Sequence, residues 1–281
     1  MSGNNSLAGR SALVTGGAGA IGSAAAKFLL RDGATVMLMG RRRDALERSR
    51  DALLQEVQGG RVELFPGDGT QAAEVKAALA ATHALANRLD IIVATVGKSS
   101  FKPLLLEDEQ SYRTAFTDNL LSTFLAVRYG APLMQPGGSI VTISSTSGTM
   151  PFNGLSAYCT MKAALEMFVR SAAEELGEAG IRVNAVRPGL TRKSVDTAMF
   201  REPLHSKFIA EMPLGRTGYP DDIGAAVRYL AGPEAGWVTG QSFAIDGGQE
   251  TRKNPNLSDY LDGVYGKDVM AQIRKGRSPQ D

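Results

Sequence analysis

Leu13-Val14-Thr15-Gly16-Gly17-Ala18-Gly19-Ala20-Ile21-Gly22 leaves a short apolar run through a glycine-rich turn and enters a helical pattern. Gly17-x-Gly19-x-x-Gly22 in that setting turns backbone N–H groups and the positive end of a helix toward one point, where a pyrophosphate can sit. A merely tight strand-to-helix turn needs fewer glycines. Working outward, β-rich runs recur at Ser11–Thr15, Thr35–Met39, Arg61–Phe65, Asp90–Thr95, Ser139–Ser144, Ile181–Val186 and Ser242–Ile245. Amphipathic stretches separate them at Ile21–Arg31, Arg43–Gln58, Gln71–Arg88, Gln110–Met134 and Ala157–Glu178. Seven strands alternating with helices predict an α/β fold, a doubly wound parallel seven-stranded sheet with helices on both faces.

Composition agrees with one large core. The chain has 281 residues, 43% hydrophobic and 21% charged, so a single domain is expected, with residues 1–249 as its catalytic body and 250–281 as a C-terminal extension. Net charge is +2, and the basic residues are scattered except at Arg41-Arg42-Arg43, which predicts a local anion site and no nucleic-acid partner. No run approaches 18 apolar residues and Met1–Leu7 lacks a leader pattern, so the expectation is a soluble, cytoplasmic protein with no membrane partner. A single cysteine, Cys159, excludes an internal disulfide, and two histidines supply no metal-ligand cluster.

Two further patterns carry chemistry. About 20 residues past the glycine turn an Asp or Glu would bind the adenosine ribose and indicate NAD. Gly40 stands there instead, followed by Arg41, Arg42 and Arg43, whose guanidinium groups suit a 2′-phosphate; NADP(H) is the cofactor expected. The plainer reading is a solvated helix start, with Asp44 as its first-turn charge. In Tyr158-Cys159-Thr160-Met161-Lys162, spacing i, i+4 places a phenol and an ammonium on one helix face, with Ser145 thirteen residues upstream at the end of a β-like run. Tyrosine titrates near 10, so a nearby cation is needed to make it an acid/base at neutrality. A Tyr and a Lys four apart on a surface helix are also commonplace.

Taken together, these motifs closely resemble the short-chain dehydrogenase/reductase family in its compact form, with a Rossmann-type fold and a 3-oxoacyl-reductase-like pattern. The likeness covers about Leu7 to Gly248. It rests on the glycine turn, Asp68, Asp90, Asn119, Ser145, Tyr158 with Lys162, the run Ile181 to Gly189, Val238-Thr239-Gly240-Gln241 and Asp246-Gly247-Gly248, the last read as structural. The resemblance implies Tyr158 as catalytic acid/base, its pKa lowered by Lys162 and the nicotinamide. It further implies Lys162 on the nicotinamide ribose, Ser145 orienting the substrate oxygen, and Asn119 holding a water that links Lys162 to solvent. Gly16, Gly17, Gly19, Ala20, Ile21, Gly22, Arg41, Arg42, Asp68, Gly69, Gly97, Pro188, Gly189 and Thr191 would bind cofactor together with Tyr158 and Lys162. Asn119 could instead be a helix-surface amide, and Asp68 a turn residue.

Three positions depart from the family pattern. Ala20 replaces a glycine, with Gly19 available to take a strained angle; Ala94-Thr95-Val96-Gly97 replaces Asn-Asn-Ala-Gly; Lys193 replaces a Thr for which Thr191 or Ser194 would substitute. The activity implied is NADPH-dependent reduction of a ketone to a secondary alcohol. Met150, Phe152, Leu155 and Met199 would form a pocket for an apolar or cyclic small-molecule carbonyl, under a lid at about 190–213. A 3-oxoacyl thioester reductase and a non-catalytic NADP(H)-binding regulatory protein are the alternatives. Family members are mostly homodimers or homotetramers, so self-association is expected, while the amphipathic residues from Leu257 to Ile273 would pack on a neighbour or fray.

Overall fold

The computed structural model describes residues 5–192 and 198–279. The chain runs β1 (Ser11–Thr15), α1 (Ala20–Arg31), β2 (Thr35–Gly40), α2 (Arg43–Glu56), β3 (Arg61–Pro66), α3 (Ala72–Ala84) and β4 (Leu89–Ala94). It continues through α4 (Glu109–Phe116), α5 (Ser122–Gly130), β5 (Met134–Ile143), α6 (Ser156–Leu176) and β6 (Arg182–Pro188). Last come α7 (Leu204–Ala210), α8 (Pro220–Ala231), β7 (Ser242–Ile245), α9 (Ser258–Tyr265) and α10 (Lys267–Arg274). The strands form one parallel sheet in the order β3-β2-β1-β4-β5-β6-β7. Strand order reverses direction between β1 and β4, so a crevice opens at their carboxyl ends, where ligands bind in such sheets.

Central strands are buried on both faces, which is why β1 and β4 read as nearly unbroken apolar runs. One face is covered by α1, α2 and α8 through Leu29, Leu46, Leu53, Ile223 and Val227. The other is covered by α3, α5 and α6 through Val75, Leu79, Leu125, Leu165 and Val169. Several polar residues shared with the family act structurally here. The Asp90 carboxylate accepts the Ser11 N–H (2.9 Å) and pairs with Arg88, tying β4 to β1. Asn184 donates to the Val238 carbonyl (2.8 Å) and accepts the Gln241 N–H (3.0 Å), which docks β7 against β6.

Two expected elements are corrected. Gln110–Met134 is not one helix: a π-helical turn at Thr117–Leu121 separates α4 from α5, and Met134 opens β5. The C-terminal segment packs on its own chain, with Leu257 and Leu261 fully buried and Met270 nearly so. Among the described residues no helix is long and apolar enough to cross a membrane, and no cluster of side chains could hold a metal. The lid expectation is seen only in part, because residues 193–197, including Lys193 and Ser194, lie outside the described residues.

Candidate active site

A cleft of about 930 Å³ lies over the carboxyl ends of β1, β4, β5 and β6. At one end, Gly16 has φ +66°, and a Cβ there would sit 2.5 Å from Thr95 Oγ1; Gly22 has no room for a Cβ against the Gly16 carbonyl. These positions require glycine because the turn passes so close to its neighbours. Gly19 caps α1 at an ordinary φ of −76°, so the strained angle belongs to Gly16 and not to Gly19 beside Ala20. No side chain caps α1, which leaves its first N–H groups, at Ala20, Ile21 and Gly22, on the cleft wall as free anion donors. Gly17 sits against β2, its N–H donating to the Met39 carbonyl (3.0 Å) and a Cβ there meeting Leu38 at 2.9 Å, so its smallness serves close packing of turn on strand.

Arg41 and Arg42 line the cleft beyond β2, whereas Arg43 turns away and pairs with Glu47 (3.7 Å). Asp68 and Gly69 form the opposite wall. Asp68 Oδ1 accepts from the Thr70 backbone (2.9 Å) and hydroxyl (2.8 Å), so the aspartate is at once a turn residue and a cleft residue. In place of the family's asparagines, Thr95 bonds β1: its Oγ1 donates to the Thr15 carbonyl (2.5 Å) and its N–H to the Thr15 hydroxyl (3.2 Å). The helix N-terminus and the glycine cradle fit a dinucleotide, with the two arginines beside them.

The reacting end is built by β5 and α6. Ser145 follows β5, lines the cleft, and its Oγ accepts the Ser147 N–H (3.1 Å). Tyr158, in the first turn of α6, lines the cleft beside Ser145. Burial raises the Tyr158 pKa, and the Ser145 hydroxyl opposes that rise. The expected lowering by Lys162 is therefore corrected for the protein alone: the Lys162 ammonium stands 5.6 Å from the phenol ring centre and donates instead to the Ile143 carbonyl (2.9 Å). Lys162 is 3% exposed, and burial lowers its own pKa to about 8.

Asn119 is neither a surface amide nor a cleft residue. It is fully buried in the π turn, where Nδ2 donates to the Lys98 and Ala115 carbonyls and Oδ1 accepts the Lys98 N–H (3.0 Å). A Cβ on Gly97 would sit 3.0 Å from Asn119 Oδ1 and 3.2 Å from Lys162 Nζ, so both groups converge behind Gly97. Pro188, Gly189 and Thr191 line the far wall, with Thr191 Oγ1 donating to the Gly189 carbonyl (3.1 Å).

Phe152, Leu155 and Met199 face the cleft as expected, and Met150 does not. The Met150 N–H closes the turn after β5 on the Thr146 carbonyl (2.9 Å), which sets the residue aside from the wall. Phe101 and Gln249 line the cleft without having been singled out from the sequence, whereas Phe208, also on the wall, falls in the lid expected at about 190–213. Phe101 is a loop aromatic with no periodic signal, and Gln249 follows a glycine pair that reads as structural. Behind this wall lies the C-terminal segment. Tyr260 meets Phe101 edge-on (5.7 Å), the Tyr265 hydroxyl donates to the Phe101 carbonyl (2.6 Å), and Asp259 pairs with Lys207 of α7 (2.8 Å). Phe152 stacks on Phe208 at 5.8 Å.

Comparison with known proteins matches this architecture. A family model described as enoyl-(acyl carrier protein) reductase matches residues 16–250. A hydroxynaphthalene reductase of Aspergillus fumigatus is 31% identical over 261 residues, covering 85% of this chain and 91% of the relative. A short-chain type dehydrogenase/reductase from Mycobacterium ulcerans has a TM-score of 0.90 at 32% identity, covering 94% of this chain and 98% of its own. A short chain dehydrogenase from Burkholderia cenocepacia, solved in complex with NADP, has a TM-score of 0.80 at 29% identity over 86% of this chain and 98% of its own. The chain belongs to the short-chain dehydrogenase/reductase family, a single-domain oxidoreductase that uses a nicotinamide cofactor.

Proposed function

We propose that the protein is an NADPH-dependent reductase of apolar or cyclic ketones, working reversibly as an alcohol dehydrogenase. The observation that carries this reading is the convergence of Ser145, Tyr158 and Lys162 on the cleft that also receives Arg41 and Arg42. NADPH, which the glycine turn with Arg41 and Arg42 would hold, would supply the hydride. Tyr158, whose raised pKa keeps it protonated, gives its hydroxyl proton to the carbonyl oxygen, so that ketone, hydride and proton sum to the alcohol. Ser145 already accepts the Ser147 N–H and turns its own proton to the oxygen where charge develops. Lys162 faces the phenolate left behind and, with a pKa of about 8, yields a proton more readily than an ordinary lysine. Asn119 holds the Lys98 backbone, and with it the wall through which that proton is replaced from solvent.

Aromatic and apolar side chains of Phe101, Phe152, Met199 and Phe208 at the substrate end favour a ring or hydrocarbon ketone. The similar hydroxynaphthalene reductase, named for a ring substrate, supports the same reading. A cytoplasmic location, where NADPH is made, goes with it. So does self-association, supported by exposed Phe116, Phe124 and Met167 on neighbouring helices.

The test is nicotinamide absorbance decay with NADPH and NADH over cyclic ketones, aromatic ketones and 3-oxoacyl thioesters, with Tyr158→Phe as control. We expect turnover that prefers NADPH and ketones and falls by ~10²–10⁴-fold in the variant while NADPH still binds. A preference for thioesters would transfer the assignment to acyl reduction. NADPH binding without turnover anywhere in the panel would leave the regulatory reading standing.

A further inference from the structure

Gln249 is 1% exposed, lines the cleft, and follows Gly247 and Gly248, which turn the chain with φ of +66° and +87°. Its amide nitrogen donates to Asn254 Oδ1 (2.9 Å), and Asn254 Nδ2 donates to the Pro151 carbonyl (3.0 Å). A backbone carbonyl only accepts, so Asn254 must present its nitrogen to Pro151 and its oxygen to Gln249. Gln249 must then present its own nitrogen to Asn254. The relay thereby fixes which end of Gln249 is left over. That end is Oε1, buried and without a hydrogen-bond partner among the described residues, 3.0 Å from where a Cβ on Gly189 would lie. Buried acceptors in folded proteins are almost always satisfied, and one left over beside Gly189, in a residue that lines a ligand cleft, calls for a donor from the ligand.

We infer that Gln249 is a ligand-recognition residue whose Oε1 accepts a hydrogen bond from an N–H or O–H group of the molecules bound beside Gly189. The inference rests on the proposed function in bringing a nicotinamide and a ketone into the cleft that Gly189 lines. Two groups offer that chemistry: the carboxamide of the nicotinamide, and a hydroxyl neighbouring the substrate carbonyl. Asn254 is the positioning residue, acting through Gln249 from the C-terminal segment.

The experiment uses the full chain and Gln249→Leu, with thermal unfolding as a check on folding. NADPH affinity is read by fluorescence titration in parallel with the 3-acetylpyridine analogue of NADPH, which carries a methyl in place of the carboxamide nitrogen. KM is read for a cyclic hydroxyketone and its deoxy counterpart. A loss of roughly 3- to 10-fold in NADPH affinity that is absent for the analogue assigns the donor to the carboxamide. An equal rise in KM confined to the hydroxyketone, with NADPH affinity unchanged, assigns it to the substrate. If all four values stay at wild type in a folded variant, the inference falls. Should Gln249→Leu fail to fold, Asn254→Ala releases the Gln249 amide and must weaken the same ligand; unchanged affinity and KM would overturn the inference. The titration arm needs no turnover, so its failure is distinct from a failure to reduce ketones.

Discussion

Arg41 and Arg42 stand on the cleft where Gly40 leaves no acidic side chain to face an adenosine ribose. A guanidinium–phosphate bond is charge-assisted and contributes about 1.5–3 kcal/mol, so Arg41→Ala should raise KM for NADPH by roughly 10- to 100-fold and leave KM for NADH unchanged. Equal losses for both cofactors would show that the arginines do not read the 2′-phosphate. Lys162 allows a different test. Burial lowers it to about 8, with Glu166 opposing, while the unfolded lysine keeps 10.5. Between those values the folded state binds fewer protons than the unfolded state, so stability rises with pH. The cost of burying the charge is fully present below pH 8 and is relieved toward pH 10. Tyr158, with a raised pKa, acts in the opposite sense only above 10. Denaturant unfolding from pH 8 to 10 should therefore show wild type gaining on Lys162→Met; parallel curves would refute the buried ammonium. The sequence singled out Tyr158, Lys162 and Ser145 by spacing and motif, and the structure brings the three to one cleft. The sequence did not show that Lys162 binds the Ile143 carbonyl or that burial dominates Tyr158, since both depend on how α6 seats against β5.

Among the elements, the C-terminal pair α9–α10 changes the most between pattern and structure. Its apolar residues had the amphipathic spacing of a helix that must bury one face, and that spacing is the same whether the cover is a neighbour, another subunit or the chain itself. Tertiary contacts decide: Leu257 joins Leu204 and Phe208, Leu261 packs at Gly154, and Tyr260 and Tyr265 hold Phe101. The break between α4 and α5 was likewise hidden, because a π turn inserts without interrupting the run of helix-forming residues. The strands were legible, to within a few residues at most ends, from their buried β-rich runs. Since α9 supports the aromatic wall from behind, Leu261→Ala should cost about 2–5 kcal/mol in unfolding free energy. It should also raise KM for an apolar ketone while NADPH affinity stays put. A variant that loses cofactor affinity and ketone affinity alike would show that the segment stabilises the whole fold and does not tune the substrate end.

For the whole molecule, the described residues of one chain line the cleft, and the proposed self-association is a matter of its outer helices. Phe116 of α4, Phe124 of α5 and Met167 of α6 are 43%, 40% and 58% exposed, and Phe124 meets Phe168 edge-on across α5 and α6. We propose that these apolar side chains on adjoining helices belong to a face that takes a second copy of the chain. Sedimentation equilibrium should give a dimer or tetramer for the wild type. Phe124→Glu with Met167→Glu would place like charges opposite one another across a two-fold axis and should shift the mass to the monomer. Turnover per chain should then be largely retained, because the substituted side chains lie outside the cleft. A monomeric wild type would remove the interface from these helices. Dissociation that abolished turnover would mean instead that the partner stiffens α5 and α6, through which Asn119, Tyr158 and Lys162 are held in register.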